Sequence, residues 1–392
     1  MGRQATSVDC CDRGRSVYTS GSIVVIGAAL EQALRAIRVS APNPRVGCVL
    51  TGPDGTVLGQ GHTQRTGGPH AEIMALRDAA ERGHSVRGAT AYVTLEPCSH
   101  HGRTGPCCEA LIAAGIGKVV ASIADPNPLV SGQGFAKLRA AGVAVEIGPG
   151  AAESRELNIG FFSRMIRKSP WVRMKVAASL DGQTALSNGQ SQWITSEPAR
   201  RDGHAWRARS CVVLTGVGTV RSDNPRLDVR LIETPRQPSL AIVDSRLDTP
   251  PDALLFIAER AVYIYCAVQN EIKKAALEAC GATVILLPGI NRDGSATGQV
   301  DLMAMLRDLA TREVNEVHVE AGARLNGALL AAGLVDEMVV YLGPKLIGQG
   351  RGMAQFGPIT ELVQAMQLEF RSTELIGPDL RIVARIAGRD SF

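Results

Sequence analysis

Short β-branched runs alternate with stretches of helical apolar periodicity along most of this chain, starting near residue 22. In the first part, the runs over 46–50, 89–95, 118–123 and 143–147 predict strands. The segments 71–82, 106–114 and 134–141 predict the helices between them. Gly83, Gly115 and Gly142 stand where those helices should stop, the usual place for a residue with positive φ. A longer helix is expected over 151–167, ended by Ser169-Pro170, and a long strand over 171–178. Further strands follow at 211–215, 239–243, 262–265, 283–287, 316–319 and 337–342. The alternation predicts an α/β layer fold with parallel or mixed sheets. The expected divisions are a disordered tail over 1–21, a first unit over 22–150, a connecting helix over 151–168 and a second unit over 169–388.

One early segment imitates a signal peptide, because Arg13 and Arg15 precede the apolar stretch 21–30. Glu31 and Arg35 follow at once, and Leu30, Ala33, Leu34 and Ile37 continue at helical spacing, so an amphipathic helix is the expectation. No run approaches the ~18 apolar residues needed to span a membrane. Together these features predict a cytoplasmic protein.

Composition narrows the function classes. The 392 residues include 42 Lys+Arg and 38 Asp+Glu, for a net charge of +4. With 7 Phe, 3 Trp and 5 Tyr, the chain lacks the basic surplus and aromatic platform of a nucleic-acid binder. The nine cysteines include two adjacent pairs, Cys10-Cys11 and Cys107-Cys108, but no CxxC, a pattern that suits reduced or metal-bound thiols. A small-molecule enzyme is expected, a homo-oligomer with no nucleic-acid or membrane partner.

The first unit carries a candidate metal site. His70-Ala71-Glu72 opens a helix, Glu96-Pro97-Cys98 ends a strand, and Cys107 opens the next helix. One imidazole and two thiolates suit Zn²⁺, and three protein ligands leave the fourth position to water, as in catalytic sites. The helix start should lower the thiol pKa of Cys107. Glu72 is the natural proton carrier. Cys108 adjoins Cys107 and is an alternative ligand, but only one of the two can reach the metal. The order H-x-E then P-C…C is that of zinc deaminases, with an eight-residue gap between the cysteines.

The surrounding residues widen the match. Pro42-Asn43-Pro44-Arg45-Val46-Gly47, Gly61-His62, Gly68-Pro69-His70-Ala71-Glu72 and the stretch from Thr94-Leu95-Glu96-Pro97-Cys98 through Gly102-Arg103-Thr104-Gly105-Pro106-Cys107 resemble the riboflavin-pathway pyrimidine deaminases. The resemblance implies a cytidine-deaminase-like fold, with His70, Cys98 and Cys107 as zinc ligands and Glu72 as proton shuttle. It also implies Asn43 at the pyrimidine and Arg103 at the substrate phosphate, roles that an amide and a guanidinium suit. Gly105 departs from the family, which usually has Pro there.

The second unit has no GxGxxG after an early strand, so it lacks the main Rossmann signal. It does have glycine-bearing strand–helix junctions at Thr215-Gly216-Val217-Gly218-Thr219 and at Glu320-Ala321-Gly322, where backbone N–H groups can meet a pyrophosphate. Lys175-Val176-Ala177-Ala178-Ser179-Leu180-Asp181-Gly182, Ser191-Gln192-Trp193-Ile194-Thr195-Ser196, Asp223-Asn224-Pro225 and Val319-Glu320-Ala321-Gly322 resemble the riboflavin-pathway ribosylaminopyrimidine reductases. That resemblance implies a dihydrofolate-reductase-like fold using NADPH. Ala177, Trp193, Thr219, Asp223, Ser245 and a turn of Gly322, Ala323, Arg324, Leu325, Asn326, Gly327 and Ala328 would surround the cofactor, with Ser245-Arg246 near its 2′-phosphate. Lys175, Ser191, Arg207, Leu227, Arg230 and Glu320 would contact the substrate, the two arginines at its phosphate. Lys175 also reads as a plain strand lysine facing solvent. Asp228 departs from the family, where Thr is usual.

The two resemblances span about 22–386, in the order of the bifunctional riboflavin-biosynthesis deaminase–reductase. They imply deamination of a diaminopyrimidinone ribotide, then hydride transfer to C1′ of its ribosyl group. Two other classes share part of the pattern: a nucleic-acid base deaminase, disfavoured by the charge and the eight-residue gap, and a closed zinc scaffold, which would need a fourth ligand.

Overall fold

The computed structural model describes residues 20–100, 105–128, 130–291 and 293–392. The expected tail, apart from its last two residues, and the candidate phosphate ligand Arg103 lie outside the described residues. Two sheets organise the chain. The first is built from β1 (Gly47–Thr51), β2 (Val57–His62), β3 (Thr90–Val93), β4 (Lys118–Ala121) and β5 (Ala144–Ile147), in the order β2-β1-β3-β4-β5. Strand β1 is antiparallel to both neighbours, while β3, β4 and β5 are parallel. Helices α1 (Ser20–Arg35), α2 (Ala71–Glu81), α3 (Cys107–Ala113) and α4 (Gln133–Ala140) pack around it. Gly83, Gly115 and Gly142 follow helix ends with φ of 73°, 75° and 82°, as their spacing predicts.

Strand β2 was not among the expected strands, because its sequence VLGQGH is weakened by glycines. Those glycines are there for helix α2. A Cβ on Gly61 would lie 2.6 Å from the Ala75 nitrogen and 2.8 Å from the Ala71 oxygen, so the alanine face of α2 lies directly on the strand.

The expected helix over 151–167 is two helices, α5 (Ala151–Leu157) and α6 (Ile159–Arg167), broken at Asn158. The Asn158 side chain binds a distant piece of backbone instead. It accepts from the Arg45 N–H at 2.7 Å and donates to the Arg45 carbonyl at 3.0 Å. Lys168 then takes a left-handed conformation (φ 55°) and ends the segment.

The second sheet uses β6 (Trp171–Ser179), β8 (Val212–Gly216), β9 (Ser239–Val243), β10 (Val262–Cys266), β11 (Ala282–Leu286), β14 (Glu316–Val319), β15 (Glu337–Gly343), β17 (Leu368–Ile376) and β18 (Asp379–Ile386). The short strands β7 (Gln183–Leu186), β12 (Pro288–Ile290), β13 (Ala296–Val300) and β16 (Gly350–Gly352) pair off as two ribbons. The order of the large sheet is β11-β10-β9-β8-β14-β6-β15-β18-β17, parallel from β11 to β15 and antiparallel thereafter. Helices α7 (Glu197–Arg209), α8 (Val217–Asp223), α9 (Glu271–Ala279), α10 (Leu302–Thr311) and α11 (Ala323–Ala331) connect the strands. Met174, Val176, Leu214, Val317, Val319 and Leu329 centre its core. The β17–β18 hairpin escaped sequence reading because Leu368–Ile376 is largely exposed and mostly polar, so no buried face marks its period.

Two candidate active sites

His70 stands at the N-cap of α2, Cys98 follows β3 on a loop, and Cys107 is the first residue of α3. Their donor atoms all lie within 4.8 Å of one another, with Cys98 Sγ 3.6 Å and Cys107 Sγ 3.4 Å from His70 Nδ1. Tetrahedral zinc with ordinary bond lengths separates its N and S ligands by about 3.6 Å, so this donor set fits the ion. Cys108 is not the alternative ligand: it turns into the core beside Leu111, Val119 and Leu138. Cys98 and Cys107 lean on each other: the hydrogen bond between them and burial push the Cys107 thiol up. Cys98 is drawn down by the same bond and by its hydrogen bond with His70. The Cys107 backbone N–H, at 3.3 Å from Cys98 Sγ, adds to that pull. The helix start therefore acts across the site, on the other thiolate.

Glu72, in the first turn of α2, is 3% exposed. Burial pushes its carboxyl up to about 7, with the nearby Cys98 charge adding to the effect. A carboxyl poised there can hold or release a proton at neutral pH. The cleft in front of it has a volume of about 320 Å³ and includes Asn43, His70, Glu72, Cys98, Asp125 and Arg164 in its walls.

Glu96 has a role that motif matching did not reveal. Its buried carboxylate accepts the backbone N–H groups of Asp125 (3.2 Å), Gly132 (2.9 Å), Gly134 (2.9 Å) and Phe135 (3.3 Å). It thereby ties the start of α4 and the wall containing Asp125 to the Cys98 corner. Gly134 makes this approach possible, since a Cβ there would stand 2.0 Å from the Pro97 oxygen. A carboxylate immediately before Pro-Cys was the available signal; its partners, some 30 to 40 residues away, were not.

The second site lies along the carboxyl ends of the parallel strands, the usual place for ligands in open α/β sheets. Lys175 of β6, Arg207 of α7 and Glu320, just past β14, converge there. Arg207 grips Glu320 with two donors, Nε on Oε1 and Nη2 on Oε2 at 2.9 Å, and gives a third to the Asp228 carbonyl at 2.9 Å. Lys175 Nζ stands 3.7 Å from Glu320 Oε2 and 5.9 Å from the Tyr341 ring centre, so it is not a solvent-facing strand lysine. Burial lowers its pKa, with Glu320 opposing. Burial also raises Glu320, but Arg207 and Lys175 outweigh it and hold that carboxyl well below the ordinary range. Arg230 is more exposed and bonds the Asp228 carboxylate at 2.8 Å, which Arg226 also holds at 2.9 Å. The unexpected acid at 228 is thus paired on both sides. Leu227 takes a left-handed conformation (φ 52°) and buries its side chain in the core, and Ser191 is half-buried.

The stretch expected to turn around the cofactor is helical: Gly322 caps α11, and Ala323, Arg324, Leu325, Asn326, Gly327 and Ala328 lie within it. Asn326 is buried and donates to the Met353 carbonyl at 2.9 Å, while a Cβ on Gly327 would stand 1.8 Å from the Gln355 oxygen. These two pack the helix against 353–355. Its first turn faces α8 instead, since a Cβ on Gly322 would lie 3.7 Å from Thr219 Oγ1. Strands β8 and β14 are neighbours, so the N-termini of α8 and α11 open side by side, a cradle that fits a cofactor pyrophosphate. Asp223 ends α8, and Ala177 lies in β6 opposite Tyr341. Trp193 is 59% exposed, with the Arg200 guanidinium 4.3 Å from its ring centre. Ser245 Oγ bonds Gln299 and the Val300 N–H, both at 3.3 Å.

Residues 24–123 match the family described as the cytidine and deoxycytidylate deaminase zinc-binding region, and residues 170–382 match the RibD C-terminal domain. The riboflavin biosynthesis protein RibD of Escherichia coli (strain K12) is 42% identical over 363 residues, covering 90% of this chain and 96% of that protein. The Aquifex aeolicus protein of the same name is 39% identical, covering 87% and 92%. Among solved structures, Acinetobacter baumannii RibD matches with a TM-score of 0.83 at 37% identity, covering 94% of this chain and 99% of that one. A Thermotoga maritima diaminohydroxyphosphoribosylaminopyrimidine deaminase/5-amino-6-(5-phosphoribosylamino)uracil reductase matches at 0.82, 30% identity and the same coverage. With a cytidine-deaminase-like domain ahead of a dihydrofolate-reductase-like one, the chain belongs to the RibD family of riboflavin biosynthesis proteins, bifunctional enzymes with a zinc-binding deaminase domain and an NADPH-dependent reductase domain.

Proposed function

We propose that the first domain, residues 22–150, hydrolytically deaminates 2,5-diamino-6-(5-phosphoribosylamino)pyrimidin-4(3H)-one. The second, residues 169–388, then reduces the ribosyl group to ribityl, with 151–168 as the connecting segment. The observation that carries the reading is the His70, Cys98, Cys107 donor set with Glu72 buried beside it. His70, Cys98 and Cys107 hold zinc, which supplies Lewis-acid activation of water. Glu72, with a carboxyl poised near 7, accepts the proton that the attacking water gives up and delivers it to the departing nitrogen, so that ammonia leaves. Asn43 presents its amide to the pyrimidine edge from the cleft wall.

In the second site NADPH supplies the hydride, its pyrophosphate held where Gly322 meets Thr219. Lys175 and Glu320 orient the ribose hydroxyls, and Arg207 fixes Glu320 by its two-pronged grip. Arg230, the more exposed arginine, is the better placed of the two for the phosphate.

The test is incubation with the ribotide while ammonia and NADPH are followed together. Both should change, and a zinc chelator should stop ammonia release while leaving NADPH oxidation on the deaminated substrate. Ammonia release that persists without zinc overturns the reading. No helix among the described residues is long and apolar enough to cross a membrane. All seven described cysteines are free, the state that the reducing cytoplasm maintains. A homo-oligomer is the expected quaternary state, and the exposed Phe370 and Leu375 of edge strand β17 offer apolar surface to it.

A further inference from the structure

The wall of the deaminase cleft is not made by the deaminase domain alone. Asn315, immediately before β14 of the reductase sheet, is 6% exposed and uses both ends of its carboxamide on that wall. Its Nδ2 donates to the Pro42 carbonyl at 2.8 Å, and its Oδ1 accepts from Arg164 Nε at 2.6 Å. Pro42 directly precedes Asn43, and Pro42, Asn43 and Arg164 all line the cleft. Arg164 is the one guanidinium among the described lining residues, which otherwise include the carboxyl groups of Glu72, Glu96, Asp125 and Glu313.

Neighbouring contacts fix the same loop from the same side. Arg45 is buried and reaches Glu316, with Nη1 2.5 Å from Oε1, while it also donates to the Leu157 carbonyl at 2.7 Å. Glu316 is shared with Arg173 at 2.9 Å and Arg209 at 3.1 Å. The loop 42–45 is therefore pinned at two successive residues of the reductase chain, and the carboxamide of Asn315 is the group that touches both cleft-lining segments at once.

We propose that Asn315 is a positioning residue of the deaminase reaction: contributed by the reductase domain, it sets the Asn43 loop and Arg164 against a phosphorylated pyrimidine substrate. The proposal rests on the functional reading above. It predicts an effect on substrate binding and not on the chemistry at Glu72, because neither hydrogen bond touches the zinc ligands or Glu72. It also predicts no effect on reduction, since Asn315 lies at the opposite end of β14 from Glu320.

Asn315→Asp keeps the shape and the acceptor for Arg164 but replaces the donor to Pro42 with a second oxygen. Deaminase KM for the ribotide should rise ~10-fold, as expected when a half-buried carbonyl loses its donor and meets a carboxylate oxygen instead, while kcat stays within about twofold. Asn315→Leu, which loses both bonds, should raise KM further. Zinc content and NADPH oxidation on the deaminated substrate should match the parent enzyme. An unchanged KM, or a fall in kcat that tracks zinc loss or a parallel loss of reductase activity, overturns the proposal in favour of a structural role. Failure of the underlying reading is separate, since it would appear as no ammonia release from the parent enzyme itself.

Discussion

The two sites are built on opposite plans. In the deaminase site the chemistry is concentrated in 38 residues, from His70 to Cys107, with His70, Glu72 and Cys107 at helix starts and Cys98 on the loop after β3. Its charge is managed by burial: the Glu72 carboxyl, shut away from water beside the donor set, is pushed up to about 7. The reductase site draws Lys175, Arg207 and Glu320 from three separate elements, and it manages charge by pairing. A poised proton carrier needs burial without a full counter-charge, whereas a group that orients hydroxyls must stay ionised. The first arrangement favours chemistry by proton transfer, and the second favours positioning for hydride transfer.

The largest expected effect falls on Glu72, the proposed proton carrier. Glu72→Gln should cut ammonia release by ~10²- to 10⁴-fold while NADPH oxidation on the deaminated substrate continues at the parent rate. Equal loss of both activities would mean that the sites are not separable. Next is Glu320→Gln, which leaves Arg207 without its buried counter-charge. A loss of ~3–5 kcal/mol in reductase-domain stability is expected, together with reductase activity. Denaturant melts and a separate ammonia assay would check that the deaminase survives.

Gly134→Ala probes the other domain. The added methyl meets the Pro97 oxygen and must displace the segment held by Glu96, at a cost of ~1–3 kcal/mol. Ammonia release should fall with NADPH oxidation intact, the reverse of the Glu320 variant.

The smallest effect is a pH dependence. Asp181 is held down to about 2, first by the Ser179 hydroxyl and then by the Gly348 and Ile347 N–H groups, which tie the 347–348 loop to the end of β6. Its folded pKa lies below its unfolded one, so its contribution is present above about pH 4 and fades as pH falls toward 2. The melting-temperature gap between Asp181→Asn and the parent should therefore narrow between pH 4 and pH 2. A constant gap would show that the carboxylate charge is not what holds the loop.

How much of this was legible follows from the same contrast. His70, Glu72, Cys98 and Cys107 could be read because short-range spacing and element ends already place them. The bidentate grip of Arg207 on Glu320 joins residues 113 positions apart, and no local pattern announces it. The break at Asn158 was hidden because the periodicity of 151–167 continues through it; only the backbone of Arg45, 113 residues earlier, explains the turn. The stretch after Glu320 reads as a glycine turn because Gly322 and Gly327 suggest one, yet Gly327 lets α11 meet 353–355.

Sequence by itself determined the two α/β layers, the metal donor set and the order of the two chemistries, because each depends on periodicity or on neighbours within a few turns. Tertiary structure alone decided that Arg207 holds the Glu320 carboxylate, that Glu96 ties distant backbone to the Cys98 corner, and that the reductase sheet supplies Asn315 to the deaminase wall. Those properties arise from burial and from hydrogen bonds between distant segments, and neither exists until the chain has folded.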